Sequence, residues 1–203
     1  MGQYAGVLST FTYHWRRIAI AKKWLARLLI TLATALPVVQ AEELFPDYID
    51  SRNARLSRCS RAELKAFRLI HVGNAALYLD DCKKIGNIFS PNPKHLRFLY
   101  EKAIPAKAFK EASEEYLKIN LGPKYTAWQP AFDKFNSNYQ DIKEGDYYDL
   151  IYDPKTGLQL NLNNKPLAAL NDPAQSLAYL NIWFGKEPFS EELKDSLLNI
   201  VER

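Results

Sequence analysis

The sequence is poor in the residues that carry most enzyme chemistry. It contains three histidines, two cysteines and eight scattered glycines in 203 residues. Neither His71 nor His95 has a cysteine or carboxylate at metal-ligand spacing, so no metal is expected. A P-loop, a G-x-G-x-x-G loop and a G-x-S-x-G motif are all missing. Because these loops hold phosphates or nucleophiles, we expect no nucleotide cofactor.

The first 41 residues have the pattern of an export signal. They contain no acidic residue, and an apolar run, LLITLATALPVVQA, ends with small residues at Val39 and Ala41. The sequence therefore predicts a cleavable signal peptide over residues 1–41, cut after Ala41, and a periplasmic or secreted protein. The run is short for a bilayer span, which needs about 20 residues. An uncleaved N-terminal anchor is the alternative.

Removing this leader removes the basic excess of the chain. The whole sequence has 27 basic and 23 acidic residues. The leader accounts for five basic residues, so 22 basic and 23 acidic residues remain, a net charge of −1. Binding to nucleic acid needs a basic face on the folded domain. A nucleic-acid partner is therefore not expected.

The two cysteines, Cys59 and Cys82, both lie after the leader. An even number of cysteines in an exported chain favours a disulfide. The bridge requires the two Cα atoms to approach within about 7 Å. This happens if residues 60–81 form a hairpin, and it fails if they form one long strand.

Strand patterns dominate the first part of the mature chain. Residues 42–60 are polar and predict an irregular N-terminal extension, and a domain follows over residues 61–203. Residues 62–80 favour a strand, with a bulge or bend at Gly73-Asn74. A second strand is predicted over residues 96–104.

After these predicted strands, apolar residues occur at the spacing of a helix. Apolar residues recur at helical positions between Pro105 and Gly122, and a second helix is predicted over residues 127–142, where Thr126 and Gln129 have the spacing of a capping box.

The period then changes to two, in DYYDLIYD and GLQLNLN, joined by the turn DPKTG. This pattern predicts an antiparallel meander with one apolar face. A helix from Asp172 to Gly185 and a last helix capped by Ser190 are expected to cover that face. Strands and helices are segregated, which predicts an α+β fold with one antiparallel sheet.

The order of these elements resembles the bacterial chalcone isomerase-like family. The resemblance is carried by LRFLYEKAIPAKAF, by GDYYDLIYDPKTGLQLNLNNKPL and by LAYLNIWFGKEPFSEELKDSLL. It implies an open-faced β-sandwich, with one large antiparallel sheet, a helical layer on one face and an apolar cleft between them. Plant members are either isomerases that cyclise chalcones or non-catalytic relatives that bind fatty acids.

The resemblance also implies two site residues. The arginine at the start of the family's strand segment aligns with Arg61, and a tyrosine that opens a helix has its counterpart in Tyr125. The departures concern catalysis: Gly73 occupies the position of the isomerase threonine that helps to hold a catalytic water. The positions of the polar flavonoid contacts are apolar here, near Phe132 and near Ile182-Trp183. An apolar lining accepts an acyl chain but leaves polyphenol hydroxyls unpartnered.

Three functions follow as hypotheses. The first is an exported, non-catalytic protein that binds an apolar anionic molecule such as a fatty acid, with Arg61 and Tyr125 holding the carboxylate. The second is an isomerase, an intramolecular lyase, that uses the same two residues. The third is a partner-binding envelope protein whose cleft is filled by its own side chains.

Each of the residues singled out above also has a structural interpretation. Arg61 is alternatively a solvated residue at a strand start, and Tyr125 is alternatively an aromatic contact at a helix start. Trp183 and Phe184 are expected to belong to the core. His71 is expected on the surface of a strand, and Arg68 on the solvent side.

Overall fold

The structure is a computed structural model that describes residues 44–51, 53–66 and 69–199. The predicted leader, residues 1–41, and Arg68 lie outside the described residues. The strands are β1 (Tyr48–Ser51), β2 (Ala54–Ala66), β3 (Ile70–Leu79), β4 (Lys94–Tyr100), β5 (Tyr147–Asp153), β6 (Gly157–Leu162) and β7 (Lys165–Leu170). The α-helices are α1 (Ala106–Leu121), α2 (Pro123–Asn136), α3 (Pro173–Tyr179), α4 (Asn181–Phe184) and α5 (Glu191–Leu198), and a 3₁₀ helix spans Cys82–Asn87.

The described strands form one sheet in chain order, from β1 to β7. Each strand pairs antiparallel with the next one. The helices pack on one face of this sheet, which we call the inner face. The predicted α+β fold, with one large antiparallel sheet and a helical layer, is confirmed.

The main core lies between the inner face and the helices. On β5, Tyr148, Leu150 and Tyr152 point inward, as the alternation of the sequence predicts. From the helices, Leu117, Phe132 and several aromatic side chains complete the core. Burying each large apolar side chain stabilises the fold by roughly 1.5–3 kcal/mol. This layer is therefore the main source of stability.

The opposite, outer face carries a second, smaller core. It contains Phe45, Leu56, Ala76, Tyr78 and Leu99. The prediction that residues 42–60 form an irregular extension is therefore wrong, because β1 and the first half of β2 lie within them. Charged residues interrupt the apolar pattern of this segment, and a register shift between Arg58 and Ser60 breaks the alternation expected of a strand.

The stretch predicted as a strand over residues 62–80 is divided between β2 and β3, which form a hairpin. The predicted irregularity at Gly73-Asn74 is present as a register shift, where Leu64 faces Gly73 and Lys65 faces His71. A side chain at Gly73 would overlap the carbonyl oxygen of Leu99 on β4. Glycine is required here because another strand approaches closely.

The second long helix begins and ends earlier than predicted. Gly122, with φ of 54°, ends α1, and Pro123 occupies the first turn of α2, where its fixed φ suits a helix. Thr126 and Gln129 therefore lie inside the helix and do not cap it. After α2 the chain forms a turn at residues 137–138. Ile142 then pairs with Ile104 through two backbone hydrogen bonds of 2.8 and 3.0 Å.

Two of the C-terminal helices, α3 and α5, begin at the N-cap residues that the sequence predicts. Asp172 accepts a hydrogen bond of 2.8 Å from the backbone of Gln175 at the start of α3. Ser190 accepts one of 3.2 Å from the backbone of Leu193 at the start of α5. The helix predicted over residues 172–185 is divided into α3 and α4 at Leu180. None of the helices within the described ranges has the length and apolarity that a membrane span needs.

A disulfide joins Cys59 of β2 to Cys82, which follows β3. Their Cα atoms are 5.2 Å apart. The hairpin formed by β2 and β3 produces this approach, because it is the folding-back on which the bridge depends. The bridge fixes the 3₁₀ helix to the centre of β2.

We expect the double variant Cys59→Ala/Cys82→Ala to have a free energy of unfolding lower by about 3 kcal/mol. The bridge closes a loop with a sequence separation of 23, so its loss frees the unfolded chain. Chemical denaturation measures this change. Reductant should produce the same loss in the wild type and none in the double variant. Equal midpoints for oxidised and reduced wild-type protein would contradict the prediction.

Candidate functional site

A surface cleft of about 310 Å³ lies between α2 and the edge strand β7. The helix contributes Ala131, Lys134 and Phe135, and Asn138 follows its end. The strand and the start of α3 contribute the other lining residues, which are Leu167, Ala168, Ala169, Leu170, Asn171 and Gln175. The cleft therefore opens at the edge of the sheet, where the helical layer meets its last strand.

The spacing of α2 places these side chains in two groups. Phe132 and Phe135 point inward and are buried. Lys134 is exposed, and the partly exposed Ala131 lies one helical turn before it. Because β7 is the last strand, its outer edge has no neighbour among the described strands. A helix over an edge strand leaves the cleft accessible from solvent.

The cleft combines an apolar floor with a polar rim. Phe135, Leu167 and Leu170 supply apolar surface, and Lys134 supplies a positive charge. The side-chain amide of Asn138 donates a 2.7 Å hydrogen bond to the carbonyl of Lys134, which fixes the end of the helix. Such a site suits a small molecule that has an apolar body and an anionic or hydrogen-bonding head.

Behind the floor lies a buried group of hydroxyls. The Tyr179 hydroxyl is 2.6 Å from Oδ1 of Asn136, 3.1 Å from the Tyr139 hydroxyl and 3.2 Å from Oγ of Ser113. Phe135, which lines the cleft, contacts the Tyr179 ring edge-on, with 4.8 Å between centroids. The group satisfies its own hydrogen bonds inside an otherwise apolar interior.

These hydroxyls are protonated at physiological pH. Burial raises the pKa of Tyr139 and raises that of Tyr179 well above its ordinary value. A neutral phenol can donate a hydrogen bond, but it is not a general base. The group therefore stabilises the helical layer and does not provide a catalytic base.

Arg61 lies on the outer face of the sheet. Its strand neighbour Ala62 belongs to the inner core, so Arg61 points the other way. Its guanidinium is 4.8 Å from the ring centroid of Phe45. The side chain is exposed and turned away from the helices. The expectation that it lies in the cleft between sheet and helices is wrong.

Tyr125 lies on α2, at the inner side of the helical layer. It is buried, and its hydroxyl has no hydrogen-bond partner among the described residues. Burial and the nearby Asp133 and Glu114 carboxylates raise the pKa of this phenol. Because Arg61 and Tyr125 lie on opposite sides of the sheet, the structure does not bring the predicted pair together.

The other residues singled out in the sequence have structural contacts. Trp183 packs on Phe98 and Tyr179, with centroids 5.3 and 6.1 Å apart, and Phe184 is buried, as expected for core residues. His71 is partly exposed on β3, and its Nε2 lies 3.0 Å from a carboxylate oxygen of Glu101.

The predictions made from the sequence did not include a buried charge cluster on the outer face. Arg97 of β4 binds Asp149 of β5 through two hydrogen bonds of 2.7 and 2.9 Å. His95 Nε2 lies 2.7 Å from the same carboxylate, although the ring is not aligned for a hydrogen bond. A sequence signal for this cluster exists, because the polar residues His95 and Arg97 alternate with Leu96 and Phe98.

The cluster holds its carboxylate ionised. Burial by itself would raise the pKa of Asp149, but the adjacent His95 and Arg97 outweigh it and lower that pKa. The buried carboxylate of Asp149 and the guanidinium of Arg97 form a structural ion pair, with His95 beside it. In the part of the chain that the structure describes, no three His, Cys, Asp or Glu residues are placed to hold a metal ion.

The sequence profile described as chalcone isomerase-like matches residues 61–199. The chain therefore belongs to the chalcone isomerase-like family. No curated protein matches the sequence significantly.

Among solved structures, the chain is similar to a fatty-acid binding protein from Arabidopsis thaliana, with a TM-score of 0.56 and 16% sequence identity. The match covers 76% of this chain and 90% of that one. At this identity the similarity establishes a shared fold.

Lys94, the first residue of β4, is a buried lysine. Lys94 is 3% exposed, and its Nζ donates to the carbonyls of Ser90 and Asn92 at 2.7 and 2.6 Å. It also lies 4.5 Å from the centroid of the Tyr152 ring. Burial lowers the pKa of Lys94 to about 8, against an opposing effect of Asp80. Both carbonyls belong to the loop before β4, so Lys94 fixes that loop to the sheet.

This pKa predicts a pH dependence of stability. Between about pH 8 and pH 10.5 the unfolded lysine binds more protons than the folded one, so the contribution of Lys94 to stability rises with pH. The free energy of unfolding of the wild type minus that of Lys94→Met should increase by on the order of 1–2 kcal/mol from pH 7.5 to pH 9.5. The exposed Lys155→Met is the control and should show no such change. A constant or decreasing value for Lys94→Met would disprove this account.

Proposed function

We propose that this protein is a non-catalytic binder of an apolar molecule with an anionic head, such as a fatty acid, and that the cleft between α2 and β7 is its site. The supporting observation is the combination of an apolar floor with Lys134 at the rim. Burying an acyl chain on that floor gains roughly 0.8 kcal/mol per methylene. The fatty-acid binding protein of the same fold is consistent with this chemistry.

The location follows from how the interior is filled. Between the sheet and the helices, aromatic rings are in contact with each other, including Phe109 with Tyr139 at 5.5 Å and Phe132 with Tyr179 at 6.0 Å. A ligand in that interior would displace several buried side chains. The cleft at the edge needs no such displacement. We therefore assign the head group to Lys134 rather than to Arg61.

The isomerase hypothesis has less support. It requires an acid or base within hydrogen-bond reach of the reacting atom, and Arg61 and Tyr125 lie on opposite sides of the sheet. The raised pKa values of Tyr125, Tyr139 and Tyr179 keep these phenols neutral. A binding role requires none of these groups to change its charge.

The first experiment is native mass spectrometry of the exported protein, purified without detergent. A co-purifying acid that is released by organic extraction would support the proposal and identify the ligand. Decanoate then serves as a probe in calorimetric titrations. We expect Lys134→Gln to weaken decanoate binding by roughly twofold to fivefold, because the variant removes a surface charge that pairs with the carboxylate.

Lys124→Gln is the matched control, because this exposed lysine lies on the same helix but outside the cleft. It should leave the decanoate affinity unchanged. The neutral 1-decanol should bind wild type and Lys134→Gln equally. Absence of decanoate binding to the wild type, together with a ligand-free native mass, would refute the proposed binder.

We further propose that the protein is exported and processed after Ala41. The pattern of residues 1–41 supports this, and the disulfide between Cys59 and Cys82 is of a kind that persists in oxidising compartments. The intact mass of protein from the periplasm or the medium should correspond to a chain that begins at Glu42. Ala41→Phe should block cleavage, because the −1 position needs a small residue, whereas Ala33→Leu, within the apolar run, should be processed normally. A mature protein that retains residues 1–41 would contradict cleavage.

A further inference from the structure

The segment formed by residues 44–47, here called the N-terminal strap, is held on the outer face by arginines. Arg97 Nη1 donates a 2.8 Å hydrogen bond to the carbonyl oxygen of Leu44. Arg58 Nη1 donates to the carbonyl of Phe45, and Arg58 Nη2 lies 2.8 Å from a carboxylate oxygen of Asp47. The strap is therefore bound mainly through oxygen atoms that accept from guanidinium groups.

The side chain of Phe45 occupies a pocket in the sheet. It is fully buried, and the pocket walls come from β2, β3 and β4, namely Leu56, Ala76, Tyr78 and Leu99. The guanidinium of Arg61 covers the ring at 4.8 Å. An aromatic group joined to a carbonyl oxygen is thus bound in a pocket with cationic groups at its mouth.

The strap leaves polar atoms of this face without partners. Tyr78 is fully buried and His95 is 5% exposed. Neither the Tyr78 hydroxyl nor Nδ1 of His95 has a hydrogen-bond partner among the residues described. The two residues face each other across β3 and β4, with ring centroids 5.8 Å apart. A buried polar atom without a partner is destabilising, so the strap does not match all the groups that the pocket offers.

The charge of the pocket favours an anion. Arg97, Arg58 and Arg61 all act electrostatically on the Tyr78 hydroxyl, against the single carboxylate of Asp149. Asp47, which supplies a second negative charge, belongs to the strap. If the strap leaves, three guanidinium groups remain beside one carboxylate. A bound carboxylate would reduce this excess and would offer more acceptor sites than a peptide carbonyl.

We propose that this outer-face pocket is a second ligand site, for a small aromatic carboxylic acid that replaces Phe45 and displaces the N-terminal strap. The aromatic group takes the place of the Phe45 ring. The carboxylate accepts from Arg58 and Arg97 and from the Tyr78 hydroxyl. This site lies on the opposite face of the sheet from the α2–β7 cleft and is independent of it.

The probe is 3-phenylpropanoate, which reproduces the side chain, Cα and carbonyl of Phe45 with a carboxylate in place of the amide. The neutral control is 3-phenyl-1-propanol, which has the same apolar part. Both are titrated into the mature wild-type protein, and hydrogen exchange of the peptide that contains residues 44–51 is followed by mass spectrometry. The acid should increase exchange of this peptide, because it releases the strap, and the alcohol should not.

Two variants test the assignment. Phe45→Ala removes the competing group, so the acid should bind at least about tenfold more tightly than to the wild type. Tyr78→Phe keeps the pocket and removes only the unpartnered hydroxyl, so it should fold normally yet weaken acid binding by roughly tenfold. A merely structural Tyr78 would leave the affinity unchanged.

The cavity made by Phe45→Ala will accept any aromatic molecule, so the comparison of acid with alcohol is decisive. Equal affinities of the two probes for Phe45→Ala would overturn the proposal. Unchanged exchange of the 44–51 peptide at a saturating concentration of acid would also overturn it, and this second measurement needs no variant. Neither result depends on decanoate binding in the cleft.

Discussion

The central strands of this protein carry apolar side chains on both faces, and both faces must therefore be covered. On β3, Leu77 points to the helices, whereas Ala76 and Tyr78 point to the outer face. The helical layer covers the inner face, and Phe45 covers the outer one. Because alternation in a strand fixes which side chains share a face, a one-residue change of register would exchange the side chains of the two cores. The bulge at Gly73 and the disulfide to Cys82 fix that register.

Each of the two apolar cores contains buried polar groups that form hydrogen bonds with one another. Arg97 and Asp149 form a bidentate pair on the outer face, in a region with apolar neighbours. Such a pair contributes little net stability, but removing one partner leaves an uncompensated buried charge. On the inner side, the Tyr179 hydroxyl is the centre of a cluster of buried polar side chains that form hydrogen bonds with one another. Both arrangements hold neighbouring elements in one relative position.

The family to which the chain belongs does not fix what it binds, because one fold supports different sites. The interior that separates helices from sheet is packed with aromatic rings, and accessible space lies at the edge, beside α2 and β7. The binding role that we propose therefore depends on residues at the rim of this cleft, such as Lys134. The outer pocket under Phe45 has a different chemistry, with guanidinium groups at its mouth. The two proposed sites lie on opposite faces of a single sheet.

The sequence by itself determined the α+β class, the meander of β5 to β7, the caps at Asp172 and Ser190 and the family, because alternation and capping are local patterns. Tertiary structure decided what depends on pairing between distant segments. It placed Arg61 on the face opposite to Tyr125, because strand register sets the direction of each side chain. It also joined His95, Arg97 and Asp149 across two strands, and it placed residues 48–51 and 54–60 in the sheet. No local pattern specifies which distant residues meet. The lining of the candidate site, which combines α2 with β7, is therefore known only from the tertiary structure.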